Sequence, residues 1–184
     1  MRGVFITLEG ADGCGKSTQA ALLGDAIEAS GREVVRLREP GGTPISEKIR
    51  ELVLDPDNGQ MAAECELLLF EASRAQLVRQ VIEPALERGA VVLCDRFYDS
   101  TYAYQAAGRS LGEDVIRRAN ALGSCGVDPD LTLVLDMPAD AALARATRNG
   151  ADRMEAEGAA FQRRVREGYL RLAKEEPARV HVVE

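Results

Sequence analysis

Gly10-Ala11-Asp12-Gly13-Cys14-Gly15-Lys16-Ser17 follows the apolar run Val4-Phe5-Ile6-Thr7-Leu8 and leads into Thr18-Gln19-Ala20-Ala21-Leu22-Leu23. Glycines at 10 and 15, then Lys16 and Ser17, satisfy every fixed position of a phosphate-binding P-loop. Glycine lets successive backbone N–H groups curl around phosphate oxygens without a Cβ in the way. The positive end of the following helix faces the same anion. Lys16 can reach the outer phosphates, and the Ser17 hydroxyl can ligate Mg2+. A glycine-rich turn with no ligand is the plainer alternative, but the strand before and the helix after supply the context that the motif requires. The stretch from Gly10 through Thr18 is therefore expected to bind a nucleoside triphosphate or something close to it.

Outward from this loop, short apolar runs alternate with longer helix-patterned stretches. Strands are predicted at 4–8, 33–37, 90–94, 131–135 and 179–183. Helices are predicted near 16–29, 44–54, 62–80, 112–122, 139–145 and 155–174. This alternation predicts an α/β fold: three layers, with a five-stranded parallel sheet between helices. Gly31 and Gly89, each just ahead of a strand, mark helix ends. Glu64 to Val81 contains Leu67, Leu68, Leu69 and Phe70 in a row, so that helix is expected to be buried on several sides or to pack on a partner subunit. His181, the only histidine, falls in the last strand and is read as structural.

The 184 residues suit one domain. Lysine plus arginine number 23 against 30 acidic residues, a net charge of −7, which disfavours nucleic-acid polymers and anionic membranes as partners. There is no apolar run long enough to span a bilayer and no signal-peptide layout at the start. Cys14, Cys65, Cys94 and Cys125 are scattered without a C-x-x-C pair, so free thiols in a reducing cytoplasm are expected.

A P-loop alone serves GTPases, ATPases, motors and small-molecule kinases. Two stretches and one absence narrow the choice. Val91-Val92-Leu93-Cys94-Asp95-Arg96-Phe97 puts an acid at the end of a buried strand, where an Mg2+ partner is expected, and Arg96 right after it in the ligand-binding cleft. Leu143 to Met154 carries Arg145, Arg148 and Arg153 around the turn signal Asn149-Gly150. Such a loop can close over a triphosphate and set guanidinium groups against the transferring phosphoryl group. No Asn-Lys-x-Asp stretch for reading guanine is present.

Over essentially its whole length the chain resembles the bacterial thymidylate kinases. The resemblance rests on 8–18, on Arg38-Glu39-Pro40-Gly41-Gly42-Thr43, on Glu71-Ala72-Ser73-Arg74-Ala75-Gln76-Leu77, on Asp95-Arg96-Phe97 with Ser100-Thr101-Tyr102-Ala103-Tyr104-Gln105, and on Asp152-Arg153. It implies ATP-dependent phosphorylation of dTMP to dTDP with Mg2+, by a cytoplasmic homodimer. It further implies a role for each matching residue. Asp12 meets the deoxyribose 3′-hydroxyl, Phe70 stacks on thymine and Arg74 reads its O4 edge. Arg50 and Arg96 hold the dTMP phosphate, while Ser100, Thr101 and Gln105 line the base pocket. Tyr104 excludes a ribose 2′-hydroxyl, and Glu39 and Asp95 lie near Mg2+ and the acceptor phosphate. Lys16, Asp95, Arg96, Arg148 and Arg153 form the implied catalytic set. Some relatives carry an arginine inside the P-loop where this chain has Gly13, so the catalytic arginine is expected from a lid at about 145–154, with Arg153 and Arg148 as candidates. The family usually extends further than Glu184, so its final helix is expected to be missing here. The rival readings are a kinase for another nucleoside monophosphate and a regulatory protein that binds ATP without turnover.

Overall fold

The computed structural model describes residues 2–148 and 151–184. Five strands form one parallel sheet in the order β2-β3-β1-β4-β5: β1 Val4–Glu9, β2 Val34–Arg38, β3 Val91–Asp95, β4 Leu131–Leu135 and β5 Val180–Val183. Each lies within a residue of its predicted place, and the expected α/β class is observed. Val91 to Cys94 are buried in succession, as expected of a strand covered on both faces. Around the sheet lie α1 Lys16–Ala29, α2 Pro44–Leu54, α3 Ala63–Leu77, α4 Glu83–Glu87, α5 Tyr98–Thr101, α6 Glu113–Gly123, α7 Ala139–Ala146 and α8 Gly158–Glu175. Thr43 caps α2, its Oγ1 accepting from the Ser46 N–H, with Pro44 at the first helical position.

Two apolar clusters hold the layers together. One gathers Phe5, Leu77, Ile82, Leu86, Val92 and Phe97. The other gathers Tyr102, Ile116, Val134, Phe161, Val165, Tyr169 and Leu172. The strand order reverses at β1, whose neighbours are β3 and β4, and the cleft opens at the carboxyl ends of these strands.

Three local expectations are corrected. The helix predicted over 62–80 ends at Leu77 and continues through a wider π-type turn, Val78–Ile82, into α4. Tyr98 to Gly108, which carried no helix expectation, is α5 followed by a π-helical stretch, Tyr102–Gly108. The inward face of α3 is largely polar: Glu66, Glu71, Ser73 and Arg74 are buried beside Leu67 and Leu77, whereas Leu68 is 64% exposed. Leucine periodicity misleads here because the helix turns its charged residues toward the cleft. The turn expected at Asn149-Gly150 lies outside the described residues.

Candidate active site

A cleft of about 490 Å3 opens above the sheet between the P-loop, the end of β3, α3 and the segment before α8. Gly15, the residue immediately before α1, has φ 100°, a conformation that L side chains rarely adopt. Gly13 has φ 80°, and a Cβ there would run into the Ala142 carbonyl of α7. An arginine at this point of the loop is thus sterically barred in this chain. Arg145, on the last turn of the same α7, lines the cleft instead. The buried Lys16 ammonium donates to the carbonyls of Gly10 and Ala11. Burial, and Arg96 nearby, lower its pKa from the ordinary lysine value.

Ser17 Oγ donates to Asp95 Oδ2 at 2.7 Å, joining the loop to the end of β3. A hydroxyl and a carboxylate side by side at the mouth of a phosphate loop fit Mg2+, which takes one or two protein oxygens and completes its shell with water and substrate phosphates.

Arg96 is the centre of the site. Its φ of 73° lies in the left-handed region, a strain of about 1–3 kcal/mol for a side chain of this size. The turn is held by the Arg96 N–H to Leu8 O and by the Phe97 N–H to Glu9 Oε1. From this turn the guanidinium reaches Asp12 Oδ1 at 2.6 Å, Tyr104 OH at 3.1 Å, Ser100 Oγ at 3.1 Å and Tyr169 OH at 3.2 Å. Burial is the strongest single influence and works against its charge, but Asp12, Tyr104, Tyr169 and Asp95 together outweigh it, and the arginine pKa is pushed further up. Burial alone would raise the Asp12 carboxyl; Arg96, Lys16 and the donated Tyr104 hydroxyl instead hold it down at about 2.

Arg38 and Arg50 both donate to the Pro40 carbonyl, at 2.9 Å each, and both line the cleft. Burial and the positive charge of Arg38 lower the Arg50 pKa. Three arginines facing one space define a site for a multiply charged anion.

On the other wall, Arg74 is fully buried. Its Nε donates to Glu39 Oε2 at 2.9 Å, Nη1 to Glu71 Oε1 at 2.5 Å and Nη2 to Thr101 Oγ1 at 2.9 Å. Phe70, Thr101, Tyr104 and Gln105 line the same part of the cleft. Burial pushes Glu39 up to about 8; Arg74 pulls against this and Glu71 adds to it. Glu9, also fully buried, is pushed to about 7 by burial and by Asp99, against Arg96.

These two carboxyls set a pH dependence. Each keeps its proton in the folded chain to a higher pH than the ordinary 4.5, so unfolding releases protons above that value. Stability is therefore expected to fall as pH rises from 4.5 to about 8. Thermal unfolding midpoints across that window check this, and a midpoint that climbs would contradict it. Asp12 acts in the opposite sense: its contribution is present above 3.8 and lost as pH falls through about 2.

The structure corrects the placement expected of Arg153. Rather than reaching across the cleft, it is 4% exposed, with Nη1 on Glu66 Oε2 at 2.7 Å and Nε on Val53 O at 2.7 Å. The reason is electrostatic: Glu66 is fully buried, and an isolated carboxylate there would be costly, so Arg153, Arg109 and Gln105 all donate to it. Arg145 and Arg148 are exposed. Of the remaining residues expected at the site, Asp12, Gly13, Gly15 through Thr18, Glu39, Arg50, Phe70, Arg74, Asp95, Arg96, Ser100, Thr101, Tyr104 and Gln105 line the cleft, whereas Gly10, Ala11 and Cys14 are buried beneath it.

Sequence reasoning missed several partners. Glu9 had a signal, an acid at the end of an otherwise apolar strand. Arg38 opens the quoted stretch 38–43, but the resemblance assigns it no role of its own. Tyr169 and Glu66 had no local signal, because only packing against Arg96 and Arg153 reveals them.

The thymidylate kinase family model matches residues 8–184. The thymidylate kinase of Pseudomonas putida (strain GB-1) is 51% identical over 185 residues, covering all of this chain and 88% of that protein. That of Trichlorobacter lovleyi is 47% identical over 188 residues, covering 98% and 89%. The crystal structure of thymidylate kinase from Ehrlichia chaffeensis superposes with a TM-score of 0.81 at 38% identity, covering all of this chain and 93% of that one. No helix among the described residues is long and apolar enough to cross a membrane.

Proposed function

The chain belongs to the thymidylate kinase family, and we propose that it transfers the γ-phosphoryl group of ATP to the 5′-phosphate of dTMP, giving ADP and dTDP. The observation that carries this reading is the Arg96 junction. One guanidinium holds Asp12 of the donor loop while facing the space shared with Arg38 and Arg50, where an acceptor phosphate fits.

No covalent protein intermediate is needed, so positioning and charge neutralisation do the catalysis. The loop N–H groups and Lys16 grip the donor phosphates. Arg96 and Arg50 grip the acceptor, with Arg38 beside them. Ser17 and Asp95 would hold Mg2+, which would supply positive charge beside the donor phosphates. Asp12 faces the sugar, and Tyr104, which donates to Asp12, is the residue that would exclude a 2′-hydroxyl. Phe70 offers its ring face to the base and Arg74 its guanidinium edge, with Ser100, Thr101 and Gln105 around them. Glu39 acts through Arg74, which it orients, rather than on Mg2+. The lid arginines are Arg145 and Arg148; Arg153 secures the lid's return to the body. Water exclusion by the lid keeps ATP from simple hydrolysis.

Two copies of the chain pair through α2, α3 and α6. These helices pack together and expose Leu52, Leu68 and Leu122, the last 79% exposed, which a second copy would cover. The reaction belongs in the cytoplasm, where the four free thiols stay reduced.

The test is ADP formation with dTMP, dUMP, UMP, CMP and AMP in turn, ATP being the donor. dTMP is expected to be the best acceptor. AMP or CMP turning over well above dTMP would shift the assignment to another monophosphate kinase. ATP binding without turnover on any of them would leave a regulatory protein.

A further inference from the structure

We infer that Glu9 is a positioning residue for the acceptor phosphate: from behind the cleft, its carboxylate turns Ser100 and Tyr169 into acceptors for Arg96 and holds the Arg96–Phe97 turn. The inference rests on the reading that Arg96 binds the acceptor.

Glu9 ends β1, one residue before the P-loop, and no part of it meets solvent. Its Oε1 accepts the Phe97 N–H at 2.7 Å, directly after the strained Arg96. Its Oε2 accepts Ser100 Oγ–H at 2.6 Å and Tyr169 O–H at 2.8 Å. These are the two hydroxyls that Arg96 Nη1 also meets, at 3.1 and 3.2 Å.

A hydroxyl has one proton and two lone pairs. An ionised carboxylate accepts only, and the two hydroxyls also lie 2.8 Å from each other, so one donates to Glu9 and the other either to Glu9 or to its neighbour, leaving no proton for Arg96. The lone pairs that remain face Nη1, which has only protons to give. Directions therefore agree along the whole chain, from Glu9 through the hydroxyls to Arg96, and the guanidinium plane is set without Glu9 touching any substrate. An amide at this position has the same shape but the wrong polarity. Its NH2 would donate to the hydroxyls and turn their protons toward Arg96.

The groups around Glu9 decide when it is ionised. Arg96 and Asp99 face it from the β3–α5 connection and α5, Tyr169 from α8, Glu39 and Cys94 from the ends of β2 and β3. Burial and Asp99 outweigh Arg96, so its titration falls near neutrality. The arrangement is complete only above that point, and dTMP use should strengthen as pH rises through about 7.

The experiment measures kcat and KM for dTMP and for ATP on both sides of pH 7, for the wild type, Glu9→Gln, Tyr169→Phe and Arg96→Gly. In Glu9→Gln, KM for dTMP should rise about tenfold, the loss of one charged hydrogen-bond's worth of positioning. KM for ATP should hold, and the rise of kcat/KM through neutrality should vanish. Tyr169→Phe removes one of the two relays and should give a smaller rise, about threefold, in the same parameter; it also serves if Glu9→Gln fails to fold. A pH limb that persists in Glu9→Gln, with KM for dTMP unchanged, belongs to the nucleotide phosphates and reduces Glu9 to a structural residue. Arg96→Gly separates the two readings. If it leaves KM for dTMP unchanged, the acceptor assignment falls and takes the inference with it; if it raises KM while Glu9→Gln is silent, Glu9 alone loses its role.

Discussion

Replacing Arg96 by glycine is expected to lower kcat/KM for dTMP by at least about a thousandfold, as removal of a desolvated, multiply bonded phosphate clamp does. Glycine is the informative choice because Arg96 sits at φ 73°, where glycine is unstrained. The backbone turn, held by Leu8 O and Glu9 Oε1, should survive, so lost activity reports the guanidinium rather than a broken loop. Lysine should rescue little. Arg96 uses two nitrogens to reach Asp12, Tyr104, Ser100 and Tyr169 at once, and a single ammonium point charge cannot span them. ATP binding should change far less than dTMP binding. A glycine variant that keeps more than a tenth of the wild-type kcat/KM would remove Arg96 from the acceptor site.

The second large effect separates two arginines that look alike on paper. Arg153→Ala is expected to cost about 3 kcal/mol of stability, since it strips the fully buried Glu66 of one of its two cations. That corresponds to a Tm lower by about 6–12 °C for a chain of this size. Arg145→Ala should leave Tm nearly unchanged and lower kcat more than about tenfold, a fraction of what an arginine finger contributes. Calorimetry and steady-state kinetics on the two variants check this together. An Arg153→Ala protein with wild-type Tm and a large loss of kcat would reverse the two roles.

Much of this protein was legible along the chain because its chemistry is local. A P-loop needs glycine, lysine and serine at fixed spacing, whatever surrounds it. The five strands were legible for a related reason: a sheet buried on both faces demands short apolar runs. The pairing of Asp95 with Arg96, and of Glu39 with Pro40, marked both sides of the cleft.

Other features are set by distant contacts, and no local pattern announces them. α3 reads as an apolar helix, yet it buries Glu66, Glu71 and Arg74, because Glu66 meets Arg109 and Arg153 from far along the chain, and Arg74 bonds both Glu71 of its own helix and the remote Glu39. Arg145 and Arg153 are chemically the same residue eight positions apart. Only packing makes one a buried strut and leaves the other on the cleft wall.

Sequence alone determined the parallel α/β layout, the phosphate loop and the family, since strand hydrophobicity and motif spacing are properties of neighbouring residues. Tertiary structure decided which arginines face the cleft, which carboxyls keep their protons near neutrality, and why position 13 must be glycine. Those outcomes depend on burial and on charges brought within 3 Å from remote segments, such as Arg96 and Asp12 at 2.6 Å.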